Sequence, residues 1–337
     1  MSAPPTARRW GPALARIALG LAAGLVLVEL AVRVATGTLA SRGGVDGGEY
    51  GVTDPLVGRV PKPGISVRVP KGGFTISTGA HGTRNNGNPP PATSEPPILV
   101  VGDSFAFGDE VDDAQSWPAH LERALDRRVI NAAVPGFGLD QAVLRAEQLA
   151  PIYRPAVIVV GVIPHDVLRC GMSYWSGNPK PYFTLDAAGL QYQPAPIPAP
   201  RRFAALRALL AHSVALELVF ARQLHWPGPY IQQAHTQGRA VACALIARLA
   251  DFGRAHDIRV VVVIHPQEPE SSPEQRNVAV ALAACAEANR LTVVDLFPAF
   301  DAETSVARAT LFDGHLTADG NRLVATALAR ALPRAAE

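Results

Sequence analysis

Two patterns of apolar residues alternate along the chain from residue 98 onward. Short runs are wholly apolar and rich in β-branched residues, which is typical of strands buried on both faces of a sheet. Longer stretches place apolar residues at helical spacing. The predicted strands are Ile98–Val101, Val129–Ala133, Val157–Ile163, Arg259–Ile264 and Leu291–Leu296. The predicted helices are Trp117–Leu125, Leu139–Leu149, Ala240–His256, Glu274–Asn289 and Asn321–Leu332. Strand and helix in alternation predict an α/β fold of three layers, with a five-stranded parallel sheet between helices.

The N-terminal pattern is different, because one long apolar stretch has no polar face. Ile17–Val28 contains only apolar residues and glycine, and the wider stretch Trp10–Val34 would be about 37 Å long as a helix. That length is sufficient to cross a bilayer core of about 30 Å. Arg8, Arg9 and Arg16 lie before or just inside the stretch. The positive-inside rule then predicts a membrane anchor whose following domain lies outside the cytoplasm, periplasmic or extracellular.

A cleaved signal peptide is the competing interpretation. Thr38-Leu39-Ala40 would serve as a cleavage site. We favour a retained anchor because the helical pattern continues past the apolar run, where Glu29 and Arg33 have the i, i+4 spacing of an ion pair. Gly20 and Gly24 form a small-xxx-small pair, which would allow a homodimer through this helix.

Changes in composition divide the chain into three parts. A stretch rich in glycine follows the apolar segment, and a run of prolines precedes the first predicted strand. Short β-like pieces such as Ser66–Val69 lie between them, which predicts a lead-in that packs on the main domain and adds an edge hairpin. The predicted parts are 1–35 (cytoplasmic start and anchor), 36–96 (linker and lead-in) and 97–337 (main domain), with an insertion at about 168–237.

Composition and charge narrow the class of protein. Of 337 residues, 48% are hydrophobic and 18% are charged, which suits a large buried core. A formal net charge of +2 gives no reason to expect nucleic acid as a partner. No Cys/His cluster has zinc spacing, so neither a metal nor a cofactor is predicted. Cys243 and Cys285 lie in alanine-rich helical patterns and are predicted to be buried free thiols, while Cys170 lies in a loop.

The segment after the first strand carries the first candidate for chemistry. Gly102 permits a sharp turn, so Ser104 falls at the start of the next helix and at the carboxyl edge of the sheet. Free N–H groups at a helix start stabilise an oxyanion, which suits a nucleophilic serine. A helix cap is the alternative role for Ser104. The acidic run Asp109–Asp113 that follows is predicted to be a solvated loop.

A second candidate lies near the C-terminus. A serine hydroxyl needs a base to take its proton, and a histidine serves when a carboxylate fixes its tautomer. Asp313 and His315 are two residues apart, and in an extended segment such residues point to the same side. They are therefore predicted to act together from one loop.

These segments together resemble the motif blocks of SGNH (GDSL-like) hydrolases. Val101–Gly108 resembles the first block, and Asn131–Gly136 resembles the second, in which the glycine N–H helps to bind the oxyanion. Asp313 and His315 resemble the last block. The resemblance implies a flavodoxin-like fold of SGNH type and a Ser104–His315–Asp313 triad. It also implies an oxyanion site formed by Ser104 and Gly136.

The chain departs from the family pattern at two positions. The third block carries an asparagine that donates to the oxyanion, and here His165 occupies that position, where an imidazole N–H is a donor of different reach. Many relatives place the aspartate three residues before the histidine, where this chain has Phe312. The first departure concerns catalytic power more than fold, since one lost oxyanion donor costs about 100- to 1000-fold in turnover.

The predicted function is a membrane-anchored serine esterase acting on acyl groups, with a cell-envelope glycan implied by the location and the resemblance. An O-acyltransferase with the same triad is an alternative, as is a catalytically weak carbohydrate-binding or scaffold protein. Tyr174, Trp175, Lys180 and Tyr182 in the insertion are candidates for substrate contact, against the alternative that they pack the insertion onto the domain.

Overall fold

The structure is a computed structural model that describes residues 11–36, 50–69, 73–175, 178–195, 213–217 and 238–332. The described residues fall into two compact units. One contains residues 11–36 with 213–217, and the other contains residues 50–195 and 238–332. The lead-in therefore belongs to the same unit as the central sheet.

The elements of the described chain are numbered in sequence order. The helices are α1 (Gly11–Thr36), α2 (Ser104–Phe107), α3 (Trp117–Leu125), α4 (Leu139–Tyr153), α5 (Pro164–Arg169), α6 (Val214–Glu217), α7 (Gly238–His256), α8 (Pro273–Ala288), α9 (Phe297–Asp301), α10 (Ser305–Thr310) and α11 (Ala318–Ala331). The strands are β1 (Gly51–Asp54), β2 (Gly58–Pro61), β3 (Ser66–Arg68), β4 (Thr75–Ser77), β5 (Ile98–Val101), β6 (Val129–Asn131), β7 (Val157–Val162), β8 (Tyr174–Trp175), β9 (Asn178–Pro179), β10 (Tyr182–Asp186), β11 (Gly189–Gln193), β12 (Arg259–Ile264), β13 (Thr292–Asp295), β14 (Phe312–Asp313) and β15 (His315–Leu316).

A five-stranded parallel sheet forms the centre of the larger unit. Its strand order is β13-β12-β7-β5-β6, and every neighbouring pair runs parallel. Because β5 lies between β6 and β7, the chain leaves β5 in one direction and later crosses to its other side. Such a reversal of strand order opens a crevice at the carboxyl ends of the strands, where open α/β sheets place their sites. The predicted α/β fold with five parallel strands is confirmed.

Helices cover both faces of this sheet. Alternate residues of β5 enter opposite cores: Leu99 and Val101 face one side, and Ile98 and Val100 face the other. The first core contains α4, α7 and α8, and the second contains α3 and α11. Each fully buried aliphatic side chain contributes about 1.5–3 kcal/mol, which explains why the strand runs are apolar without interruption.

The ends of the elements differ from the prediction by a few residues. Helix α4 continues to Tyr153, four residues past the predicted end, with Pro151 in its last turn. Proline has no N–H to donate to the carbonyl four residues before it, so α4 loses one hydrogen bond near its C-terminal end, and Arg154 ends the helix in the left-handed conformation with φ 48°. Strand β6 ends at Asn131, two residues before the predicted end.

The lead-in forms two small hairpins and reaches the edge of the central sheet. Strand β1 pairs with β2, and β3 pairs with β4, so the predicted β-like segment Ser66–Val69 is confirmed as β3. The lead-in contacts the sheet edge through an isolated bridge between Arg84 and Asn131 of β6, with Arg84 N–H donating to the Asn131 carbonyl at 2.7 Å. The lead-in thus extends the sheet by one residue instead of a full hairpin.

The described part of the insertion consists mainly of two hairpins. Strand β8 pairs with β9, and β10 pairs with β11. Residues 196–212 and 218–237 of the insertion lie outside the described residues, and residues 213–217 include α6.

Helix α1 is long and apolar enough to cross a membrane. Its segment Leu14–Ala35 has 22 residues, with a mean hydropathy of 2.2 over its most apolar part, and its leucine and valine side chains are exposed. Both a signal sequence and an anchor have these properties. The arginines Arg8 and Arg9 and the candidate cleavage site Thr38–Ala40 lie outside the described residues.

The prediction for two of the cysteines is wrong. Cys243 of α7 and Cys285 of α8 form a disulfide with a Cα–Cα distance of 5.4 Å. The two helices pack side by side on one face of the sheet, so residues 42 positions apart in sequence come within bonding range. Cys170 is a buried free thiol.

Candidate active site

Ser104 lies at the carboxyl end of β5, on the first turn of α2. Gly102 makes the turn with φ 153°, and an added Cβ there would lie 2.5 Å from the Gly161 carbonyl oxygen, so only glycine fits. The Asp103 carboxylate caps α2 by accepting a hydrogen bond from the Phe105 N–H at 2.9 Å. Asp103, and not Ser104, is therefore the cap, which leaves the Ser104 hydroxyl available for chemistry.

His315 meets Ser104 directly. Its Nε2 lies 3.0 Å from Ser104 Oγ, although 211 residues separate the two in sequence. The ring of Phe105 packs against the imidazole with centroids 4.9 Å apart. The structure thus brings together the two residues that the sequence placed at opposite ends of the domain.

The carboxylate beside His315 is Glu110. Glu110 Oε2 lies 3.1 Å from His315 Nδ1 and also accepts the backbone N–H of His315 at 3.1 Å. Because the carboxylate accepts a hydrogen bond from Nδ1–H, Nε2 is the nitrogen free to accept a proton from the Ser104 hydroxyl. Glu110 belongs to the acidic run that was predicted to be a solvated loop. The Glu110 side chain is 49% exposed, as that prediction expects, whereas Val111 is only 5% exposed.

Asp313 does not hold the position that the sequence suggests. The prediction assumed an extended segment, but Gly314 has φ 76° and turns the chain so that Asp313 and His315 face each other across the β14–β15 pair. Asp313 is exposed, and none of the hydrogen bonds in the described part of the chain joins it to the imidazole. The predicted hydrogen bond between Asp313 and His315 is not among those of the described residues, and Glu110 occupies the Nδ1 side of the ring in its place.

The predicted backbone donors to the oxyanion are the N–H groups of Ser104 and Gly136. Gly136 lines the same pocket as Ser104 and has φ 82°, and an added Cβ would lie 3.1 Å from Trp175 Cδ1. Among the described residues, neither the Gly136 N–H nor the Ser104 N–H donates to a protein acceptor. Such free donors at the end of a buried strand are the groups that stabilise an oxyanion.

His165, the third predicted oxyanion donor, is absent from the pocket wall that the described residues form around Ser104. Its Nδ1 is 3.4 Å from Arg169 Nη2, and its ring packs edge-on against Trp175 with centroids 5.1 Å apart. Burial lowers the pKa of His165, and the nearby Arg169 guanidinium lowers it further, so the ring is neutral at neutral pH. No hydrogen bond in the described part of the chain links His165 to Ser104 or Gly136.

Arg169 and two aspartates form a buried charge cluster next to Ser104. Arg169 Nη1 lies 2.9 Å from Asp166 Oδ1 and 3.6 Å from Asp103 Oδ2, and it donates to the Phe137 carbonyl at 2.8 Å. Burial and the neighbouring Asp103 raise the pKa of Asp166 well above its usual value, and Arg169 opposes the increase. The arginine therefore joins the residue before Ser104 to the segment that follows β7.

The structure places the predicted substrate residues of the insertion in different surroundings. Lys180 is 3% exposed, and its Nζ lies 2.5 Å from Asp140 Oδ2 and donates to the Met172 carbonyl at 3.0 Å. The lysine reaches the pocket wall, but its charge is already paired. Tyr174 and Tyr182 are half-buried and are absent from the pocket wall formed by the described residues.

The pocket above Ser104 has a volume of about 330 Å³. His315, Gly136, Arg169 and Trp175 line it, together with Asp109 from the acidic run. Removal from water raises the pKa of the Asp109 carboxyl to about 6, while the neighbouring His315 and Arg84 pull it down. The pocket is therefore mixed in charge, with a titrating carboxyl close to the candidate base.

Sequence reasoning missed Glu110 and Arg84. Trp175, which was among the candidates for substrate contact in the insertion, packs beside Gly136. Glu110 follows Ser104 by six residues, and the only available signal was a carboxylate close to the candidate nucleophile. Arg84 gave no signal, since its contacts with the acidic run depend on the fold of the lead-in.

A family model described as the GDSL-like lipase/acylhydrolase family matches residues 100–323. The chain belongs to this family. The match covers the segments of Ser104, Gly136 and His315, so the family resemblance expected from the motifs is confirmed. Members of the GDSL-like family act on ester bonds, and this chain is accordingly a serine hydrolase of that class. Among curated proteins, none matches the chain.

Several solved structures are similar to this chain. They include a GDSL-like lipase from Bacteroides thetaiotaomicron (13% identity, covering 72% of this chain and 91% of the lipase, TM-score 0.40). They also include the acetylxylan esterase Axe2 from Geobacillus stearothermophilus (14% identity, 71% and 95%, TM-score 0.42). The esterase EstA from a Pseudoalteromonas species is a third (13% identity, 69% and 94%, TM-score 0.41).

Proposed function

We propose that this protein is an extracytoplasmic, membrane-anchored serine esterase in which Ser104 is the nucleophile and His315 is the general base. One observation carries the proposal: Ser104 Oγ and His315 Nε2 lie 3.0 Å apart at the floor of an open pocket. That distance allows proton transfer within a single hydrogen bond. A scaffold protein would have no need of this contact.

The reaction follows from the atoms at the site. Ser104 Oγ attacks the ester carbonyl carbon while its proton moves to His315 Nε2, and the carbonyl oxygen becomes an oxyanion held by the N–H groups of Ser104 and Gly136. When the intermediate collapses, the C–O bond of the ester breaks and the leaving alcohol takes the proton from Nε2. Water then attacks the acyl-enzyme with the same base, which releases the acid and restores Ser104.

The substrate is proposed to be an acyl ester carried by a cell-envelope glycan. The pocket of about 330 Å³ suits a short acyl group and is open to solvent. Trp175 beside Gly136 offers an aromatic surface next to the predicted oxyanion. If a sugar hydroxyl replaces water in the second step, the same residues would perform O-acyl transfer.

Two observations support the proposed location. The Glu29 carboxylate of α1 accepts hydrogen bonds from Ser213 Oγ at 2.7 Å and from the N–H groups of Val214 and Ala215 at 2.9 and 3.1 Å. Cleavage of α1 would leave these three donors without their acceptor, which favours a retained anchor over a signal peptide. The Cys243–Cys285 disulfide is typical of oxidising compartments outside the cytoplasm.

The reaction is tested with the full chain in detergent, using p-nitrophenyl esters of increasing acyl length and a fluorophosphonate probe. We expect hydrolysis of the short esters and covalent labelling. Ser104→Ala should abolish the labelling and lower kcat by at least about 10⁴-fold. Absence of labelling in a folded wild-type protein would overturn the esterase proposal. Release of acylated sugar in place of free acid, once an oligosaccharide acceptor is added, would identify acyl transfer.

The anchor is tested by intact mass spectrometry of the protein purified from membranes. A mass that includes residues 17–36 is expected for a retained helix. A mature chain beginning near residue 41 would show instead that α1 is a signal peptide.

A further inference from the structure

We propose that Glu110, in place of Asp313, is the carboxylate that positions His315, and that Arg84 of the lead-in holds Glu110 in its place. This inference rests on the proposed esterase reaction and concerns the positioning of the same base. It also makes the lead-in, which lies ahead of the family match, a part of the working site.

Glu110 contacts His315 at two atoms. Its Oε2 accepts the backbone N–H of His315 and lies equally close, 3.1 Å, to Nδ1. The two contacts fix both the position of the residue and the rotation of its ring. When Ser104 transfers its proton to Nε2, the ring becomes an imidazolium, and the Nδ1–H remains hydrogen-bonded to the carboxylate. The negative charge then stabilises the cation without accepting a proton itself.

Asp313 lies on the opposite arm of the one-residue turn and is exposed, so its carboxylate makes no described contact with the ring. Gly314 at the centre of the turn accounts for the different role of Glu110. An added Cβ on Gly314 would lie 2.8 Å from Glu110 Oε2. The glycine therefore leaves the space through which Glu110 reaches His315.

The backbone of Glu110 is held in an unusual conformation. Its φ is 67°, in the left-handed region that non-glycine residues rarely adopt and that costs of order 1 kcal/mol or more. Such strain persists only where surrounding contacts over-determine it. In this conformation, the Glu110 carboxylate reaches His315 Nδ1. A loop without these surrounding contacts would be free to relax to a conformation of lower energy.

Arg84 supplies the surrounding contacts on both sides of Glu110. Its Nη1 donates to the Phe107 carbonyl at 3.0 Å and to the Gly108 carbonyl, and its Nη2 donates to the Val111 carbonyl at 2.6 Å. Its Nε lies 3.0 Å from Asp113 Oδ1. The Arg84 side chain is fully buried, so this guanidinium is committed to the segment 107–113 that carries Glu110.

The lead-in grips the same segment through its backbone. The Thr75 N–H donates to Asp112 Oδ1 at 2.7 Å, and the Ser77 N–H donates to Asp113 Oδ2 at 3.0 Å. Strand β4 and Arg84 thus hold the segment at its two ends, and Glu110 lies between them.

The first experiment compares two matched variants, Glu110→Gln and Asp313→Asn, each of which replaces one exposed carboxylate by its amide. We expect Glu110→Gln to lower kcat by about 100-fold with little change in KM, because the positioning group acts on the transition state. The acid limb of its pH–rate profile should move to lower pH, since the charge that favours the imidazolium is lost. Asp313→Asn should change kcat by less than about threefold and leave the profile in place.

The outcomes separate this inference from the proposed function. If the wild-type protein hydrolyses esters but Asp313→Asn loses more activity than Glu110→Gln, the assignment of Glu110 is overturned and the esterase reaction stands. If the wild-type protein neither hydrolyses esters nor labels, the proposed function fails first.

The role of Arg84 is tested by a double-mutant cycle with Arg84→Gln and Glu110→Gln. If Arg84 acts through Glu110, Arg84→Gln should lower kcat by about tenfold in the wild type and by less than about twofold in the Glu110→Gln background. Equal losses in both backgrounds would show a merely structural role for Arg84. Should Arg84→Gln fail to fold, Ser77→Ala, which removes the hydrogen bond from Ser77 Oγ to Asp113 Oδ2, provides the second perturbation in the same cycle.

Discussion

The nucleophile and the base of this site are held in opposite ways. Ser104 is 7% exposed, and its supports are local: Gly102 and Asp103 precede it, and its carbonyl accepts the N–H groups of Gly108 and Asp109. The His315 side chain is 26% exposed and lies on a hairpin turned by a single residue. The carboxylate beside His315 comes from a segment 205 residues away.

Because of this difference, we expect mutations near Ser104 to affect mainly the stability of the fold and mutations near His315 to affect mainly activity. The nucleophile turn is packed between two strands of the sheet, so a change there disturbs the core. The base is held by a half-exposed carboxylate and a surface turn, so a change there alters geometry at little cost to folding. Three substitutions test this contrast, and their expected effects decrease in the order given.

The largest effect is expected for Gly102→Ala in the nucleophile half. The new Cβ would lie 2.5 Å from the Gly161 carbonyl oxygen and 2.8 Å from the Ala106 Cβ, both in the buried core. We expect a loss of about 3–5 kcal/mol in unfolding free energy, measured by urea denaturation. Gly189→Ala is the control, because Gly189 also has a positive φ, 100°, but an added Cβ meets nothing within 4 Å. Equal losses for the two variants would contradict the packing argument.

A smaller effect, mainly on turnover, is expected for Gly314→Ala in the base half. The methyl group would displace the Glu110 carboxylate, because its Cβ would lie 2.8 Å from Glu110 Oε2. We expect kcat to fall about 30-fold, or about 2 kcal/mol in barrier height, while Tm falls by only a few degrees. Gly64→Ala has a similar φ, 70°, with open space, and reports the backbone strain alone. Unchanged turnover in Gly314→Ala would argue against the Glu110 contact.

The smallest effect is expected for Asp109→Asn, and it concerns pH. With a pKa of about 6, Asp109 is charged above that pH, and its charge then favours the protonated imidazole of His315. The variant lacks this charge, so the acid limb of its pH–rate profile should move to lower pH by less than one pH unit.

Stability gives an independent measurement of the same carboxyl. Because the folded pKa of Asp109 lies above the model-compound value of 3.8, the folded state favours the protonated form, and wild-type stability decreases as pH rises from about 4 to 6. The Asn variant has no such decrease, so its Tm advantage over the wild type should grow across that range. A pH-independent difference in Tm would show that the carboxyl titrates normally.

The fold was predictable because its signals are local. Each strand of the sheet is a continuous apolar run, and each covering helix repeats its apolar residues at helical spacing. The errors of a few residues occur at the ends of elements. The general rule that proline breaks a helix predicts an end before Pro151, whereas α4 includes this proline and continues to Tyr153. The disulfide was not predictable in the same way, because the pairing of Cys243 with Cys285 depends on which helices become neighbours.

The candidate site was predictable only in part, for a related reason. Ser104 and Gly136 each follow a strand, so the topology alone carries them to one edge of the sheet. The i, i+2 argument for Asp313 considered only the sequence neighbours of His315, whereas the carboxylate at Nδ1 comes from a segment 205 residues away. Glu110 could not be found from the sequence, because it belongs to an acidic run that is typical of a surface loop. Its role depends on contacts of Arg84 with the neighbouring carbonyls, which form only in the folded protein.

The bridge between Arg84 and Asn131 has a practical consequence for where this enzyme is considered to begin. The family match starts at residue 100, and a fragment cut to that boundary would contain every residue of the recognised motifs. It would lose Arg84, and with it the bonds that shape the segment around Glu110. Weak activity in such a fragment would result from the loss of the Arg84 contacts and would not measure the activity of the intact protein.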